Sequence, residues 1–163
     1  MRSVACEGCL EAAINSSVAK LSKVDREMIP DVAPTVDALA ERVGALAQAL
    51  HRMDTDITPE SLAALDARIE ETTNRPQSRE RDQRLELLQR QRVTMNDLLT
   101  RHETLLTQLE SASLMLQNMR LDLIALRSAG VQSAMDDVLT ATQEARALSR
   151  DIAHVLDAAR QVR

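Results

Sequence analysis

Apolar residues recur along most of this chain at alternating steps of three and four, the spacing that lines them up on one side of a helix. From Leu10 the stripe runs through Ile14, Leu21, Val24 and Met28, with Ser17 filling one step. Pro30 and Pro34 close it, because proline lacks the N–H that a helix interior uses. Pro34 suits the first turn of a second helix. That helix carries the series Val36, Leu39, Val43, Leu46, Leu50 and Met53. Gly44 lies beside this seam, costs about 1 kcal/mol against Ala, and leaves room for a close helix contact. Residues 54–57 read as a linker. Thr58 then caps a third helix opened by Pro59 and Glu60, with a stripe of Leu62, Leu65 and Ile69 that ends at Asn74-Arg75-Pro76.

A fourth helix is expected from Ser78 to Ser128, since no proline or glycine interrupts that stretch. Its first part uses Leu85, Leu88, Met95 and Leu99. Its second uses Leu98, His102, Leu105, Leu109, Ala112, Leu116, Met119, Leu123 and Leu126. The two registers differ, which predicts a stutter or bend. The small run Ser111-Ala112-Ser113 offers a place for close approach. Gly130 then reads as a left-handed helix cap. A fifth helix follows with Val131, Ala134, Val138, Ala141, Ala145, Leu148, Ile152, Val155, Ala159 and Val162 in 3-4 order. So short a turn makes helices four and five an antiparallel hairpin.

The pattern predicts an all-α fold: an elongated antiparallel helical bundle or coiled coil of about five helices. They span 10–29, 34–53, 59–73, 78–128 and 131–163, behind a short polar segment at 1–9. Leu98, Leu105, Leu109, Leu116, Leu123, Val138, Leu148, Ile152 and Val155 are the expected interaction seam, within one chain or between two.

Composition sharpens this. The 163 residues contain no Phe, Trp or Tyr, so the core is built from Leu, Val, Ile, Met and Ala. Three Gly and four Pro leave too few turns for an all-β fold. A net charge of −5 does not suit general nucleic-acid binding, and no ring is present on which a base could stack. No apolar run approaches the ~18 residues of a membrane span. The start lacks the apolar core of a signal peptide, so a cytoplasmic protein with reduced thiols is expected. Three glycines also exclude a Walker loop and a kinase glycine loop.

Chemistry has few candidates. Cys6-Glu7-Gly8-Cys9 has the spacing of half a zinc site, but tetrahedral zinc needs four ligands and no second pair is present. The pair stands open between an inert pair, half of a zinc ribbon, and a redox or intermolecular disulfide pair. His102 falls on the seam of the long helix, as a hydrogen-bonded polar residue that can fix register. Arg75, Arg79, Arg81, Arg84, Arg90 and Arg92 interleave with Glu80, Asp82 and Glu86, and Glu80–Arg84 and Glu86–Arg90 form i,i+4 pairs on a solvated face. Asn118, Arg120 and Asp122 lie among apolar residues and are expected to hydrogen-bond across a helix interface. No general base stands with them, so no catalytic residue is assigned and the chain is not expected to be an enzyme.

Several stretches resemble the helical C-terminal region of some bacterial serine/threonine protein kinases and related unannotated proteins. They are VDALAERVGALAQALHRM (36–53), RLELLQRQR (84–92), LMLQNMRLDLIALRSAGVQSAMDDV (114–138) and TQEARALSRDIAHVLDAA (142–159). The resemblance implies a regulatory or scaffolding tail, with Cys6 and Cys9 as the remnant or half-site of a cysteine-rich ribbon. The kinase itself is absent: Val18-Ala19-Lys20 and His51-Arg52-Met53-Asp54 fall in helical patterns, and the DFG triplet needs a Phe. The expected function is a non-catalytic interaction or oligomerisation module, a scaffold or regulatory tail of a signalling protein. Its partners would be other proteins or a second copy, with no nucleic acid, membrane or small-molecule substrate. A zinc- or redox-responsive module built on Cys6 and Cys9, and an accessory subunit of an enzyme, are the alternatives.

Overall fold

The computed structural model describes the backbone of residues 2–56, 58–129 and 132–160. Of these, the side chains of residues 2–10, 55, 56, 59, 129, 132, 133, 159 and 160 lie outside the description. Among the described residues there are six helices and no strand: α1 (Arg2–Ala19), α2 (Lys23–Met28), α3 (Val32–Asp56), α4 (Pro59–Thr73), α5 (Arg79–Ala129) and α6 (Gln132–Arg160). The chain is an all-α, packed helical bundle, and α5 runs uninterrupted for 51 residues.

The predicted first helix is two. The break falls at residues 20–22, where Ser22 accepts from the backbone N–H of Asp25 at 3.1 Å and donates to the Asp25 carboxylate at 2.6 Å. That is a new helix start, with an acceptor for one of the N–H groups a first turn leaves unpaired. Arg26 reaches back to the carbonyls of Ala19 and Leu21, which the end of α1 exposes. The break shifts the register. Val24 and Met28 are exposed, while Val18 and Ile29 are buried in their place. Residues 2–9, expected as a short polar segment, belong to α1.

Later boundaries follow the sequence signals closely. Thr58 caps α4 by accepting from the N–H of Ser61, and the Ser61 hydroxyl accepts in return from the N–H of Thr58. Ser78 accepts from the N–H of Arg81 and starts α5. Gly130, Val131 and Val162 lie outside the described residues.

Two compact units divide the chain: residues 1–48 with 106–163, and residues 49–105. The first holds a continuous aliphatic core. Ile14, Val32, Val36, Leu39 and Leu46 are buried in it, as are Ala112, Leu116, Met119 and Leu123 of the second half of α5 and Val138, Ala145 and Ile152 of α6. The second unit buries little: Leu50, Leu65, Thr72, Leu88 and Leu105. Side-chain pairs between helices make up a larger share of what holds it. Asp66 on α4 holds Arg92 on α5 through two contacts, and Asp54 near the end of α3 binds His102 Nε2 at 2.7 Å.

The buried face of α5 changes along its length. Leu88 and Leu105 are 17 residues apart, which at 3.6 residues per turn rotates one about 100° from the other. That shift is the change of register read from the sequence.

Candidate functional site

The predicted seam is in part enclosed by the single chain. Leu105, Leu116, Leu123, Val138 and Ile152 are buried there, and Leu98, Leu109, Leu148 and Val155 are half-buried. On α6 the pattern drifts from the expected positions. Met135, Thr142 and Leu156 are buried alongside the seam, and Thr142 satisfies its hydroxyl on the carbonyl of Val138 at 2.7 Å. An ideal helix turns 3.6 residues per turn, so a strict 3-4 count slides off the core after several turns.

With its buried side consumed, α5 presents an opposite side to solvent. Leu114 and Leu121 are 59% and 62% exposed. They lie seven residues apart, about two turns, and so share a face. Ala125, one turn further, is exposed on the same face. Asn118, placed there between the two leucines, is exposed, and Arg120 is exposed as well. The expectation that these two residues hydrogen-bond across a helix interface fails, because they point to water.

Asp122 stands at the edge of this face, half-buried, and its carboxyl is raised above the ordinary value of 3.8. Burial is the larger cause. The Asp137 carboxylate on α6 adds repulsion. The two acids give the hairpin a local like-charge contact rather than a salt bridge.

His102 is not a core residue. Its side chain is 23% exposed, and Asp54 anchors it at the rim of the second unit. Of the two predicted Arg pairs, Arg90 meets Glu86 at 3.3 Å, and Glu80–Arg84 does not form. Arg75 instead holds Glu71, and this hydrogen bond together with the Arg75 charge keeps the Glu71 carboxyl below its ordinary 4.5. Gly44 serves no close contact: a Cβ built there meets nothing within 4 Å.

Cys6 and Cys9 lie three residues apart within α1, so the backbone sets both on one helical face. Their side chains lie outside the described residues. Among the described residues no group of three or more His, Cys, Asp or Glu gathers as metal ligands. No helix of those residues is long and apolar enough to cross a membrane. Comparison with protein-family models, curated proteins and solved structures finds no match to the chain.

The exposed leucines of α5 were legible only in retrospect. Leu114 and Leu121 break the seam by standing outside its register, which in a solvated helix calls for polar residues.

Proposed function

We propose that this chain is a non-catalytic helical interaction module. It folds on its own core and offers the outer face of α5 to protein partners, a second copy of the chain first among them. The observation that carries this reading is the pair Leu114 and Leu121, exposed at heptad spacing directly opposite the buried seam. Single surface leucines are ordinary, but apolar residues aligned on one face mark contact surfaces. Burying a Leu side chain contributes about 1.5–3 kcal/mol, so two per protomer in a paired face supply a usable driving force. The resemblance to kinase C-terminal regions adds a setting: a regulatory or scaffolding tail beside a signalling protein.

Light scattering across a concentration series tests it. The expected result is a mass above the monomer that rises with concentration, returned to monomer by Leu114→Arg with Leu121→Arg. A monomer at every concentration up to about 1 mM, where association free energy is only about 4 kcal/mol, sinks the self-association version.

A further inference from the structure

A groove of about 580 Å³ lies between the first turns of α3 and the middle of α6, wholly inside the first unit. Pro34 and Ala38 form one wall and Gln143 and Ser149 stand on the other, with Arg146 and Arg150 facing into the same space. Thr35, 5% exposed, lines the groove as its most buried residue.

The two arginines are held differently. The Thr35 hydroxyl donates to the carbonyl of Asp31 at 2.6 Å, which turns its lone pairs toward α6. There it accepts from Arg146 Nε at 3.1 Å, and Arg146 Nη2 reaches Asp31 Oδ2 at 2.9 Å. These two contacts fix the guanidinium and leave the rest of its five N–H donors without a protein partner among the described residues. Arg150, one turn along α6, forms no ion pair among the described residues. No carboxylate stands one turn above or below either arginine on α6: the neighbours at those steps are Thr142, Gln143, Ala147, Ser149, Ala153 and His154. Like charges one turn apart on a helix repel. In a chain of net charge −5, two guanidinia stand side by side over the groove and, among the described residues, only Arg146 is paired with a carboxylate, so the groove carries a local excess of positive charge.

We propose that this groove is an oxyanion-binding subsite that takes a carboxylate or phosphate group. Arg146 is pre-oriented by Thr35 and Asp31, so little side-chain freedom is lost when it meets a ligand. Arg150 supplies the second fork, in the paired N–H geometry that matches two oxygens of one anion. The Gln143 amide and the Ser149 hydroxyl line the same space and add neutral donors. The subsite shares no residue with the outer face of α5, so it does not depend on the interaction reading.

The test is a titration of the full chain with inorganic phosphate and, separately, with acetate, followed by backbone amide NMR at constant ionic strength. The expected result is saturable shifts confined to residues 31–38 and 143–150. Arg150→Gln should weaken binding at least about tenfold, the worth of one charge-assisted contact. Arg79→Gln, at an exposed position of α5, should leave it unchanged. Tighter phosphate than acetate identifies a phosphoryl ligand, and equal affinity identifies a carboxylate. Shifts that do not saturate, or that spread over the surface arginines generally, overturn the proposal. So does unchanged binding in folded Arg150→Gln protein. A monomer that still binds phosphate would remove the self-association reading and keep this one.

Discussion

The unit formed by residues 1–48 and 106–163 adds a large aliphatic core to polar pairs such as Arg146–Asp31, whereas the unit formed by residues 49–105 buries little and depends relatively more on its polar pairs. The first contains Leu39, Leu46, Leu116 and Ile152 with no accessible surface at all. In the second, the most enclosed residues are Leu105, at the end of its range, and the polar Thr72, and its helices are paired through Asp66–Arg92 and Asp54–His102. Area removed from water is worth about 25 cal/mol per Å² and is not weakened by electrostatic screening. Partly exposed ion pairs are worth 0.2–1 kcal/mol and are screened. The same helical alphabet, and two of the same helices, thus produce one region that is stable by packing and one that is tied by charge.

The sharpest way to break this contrast is Leu116→Ala. Removing a fully buried leucine should cost about 2–5 kcal/mol, read from the denaturant midpoint. A change near zero would show that the first unit does not depend on its core. In the second unit the matching test is Thr58→Ala, which removes one half of the reciprocal cap on α4. The expected loss is about 1 kcal/mol, seen as faster amide exchange in residues 59–65 with residues 112–126 unaffected. Exchange rising equally in both stretches would erase the distinction.

Gly44→Ala should move the other way. Open space around that position means the added methyl strains nothing, and the helix gains up to about 1 kcal/mol. Destabilisation there would reveal a close contact after all. Asp66→Asn should cost about 0.5 kcal/mol at low salt and less in 1 M salt, while Leu116→Ala keeps its cost in both. Equal salt dependence for the two variants would contradict the division.

The smallest effect separates two carboxylates shifted in opposite directions. The folded value of Asp122 is raised, so the contribution of its protonated form is present below the ordinary 3.8 and is lost as pH rises through the raised value. Asp122→Asn should therefore stabilise the hairpin by a few tenths of a kcal/mol at neutral pH and flatten that loss. The folded value of Glu71 is lowered, so its contribution is present above 4.5 and is lost as pH falls through the lowered value. Glu71→Gln should soften the acid limb of the stability profile and leave the neutral limb alone.

Much of the fold was legible because helix boundaries carried chemistry. Thr58-Pro59-Glu60 announced α4, and the proline-free, glycine-free run from Ser78 announced α5. The break at residues 20–22 was missed because neither proline nor glycine marks it. Its signal was Ser22 followed three residues later by Asp25, a capping pattern hidden inside an apolar stripe. The interhelical pairs were invisible for another reason. Asp66 and Arg92 are 26 residues apart, and which helix faces cross is a tertiary fact that local spacing does not encode. The groove belongs to the same class: Thr35 and Arg146 are 111 residues apart in sequence.

The aliphatic core has an optical consequence. Without Phe, Tyr or Trp the protein is nearly dark in the near ultraviolet. One tryptophan placed at Leu121 would then be the sole fluorophore in the molecule. Every photon it emitted would report on the outer face of α5, against a background the sequence has already cleared.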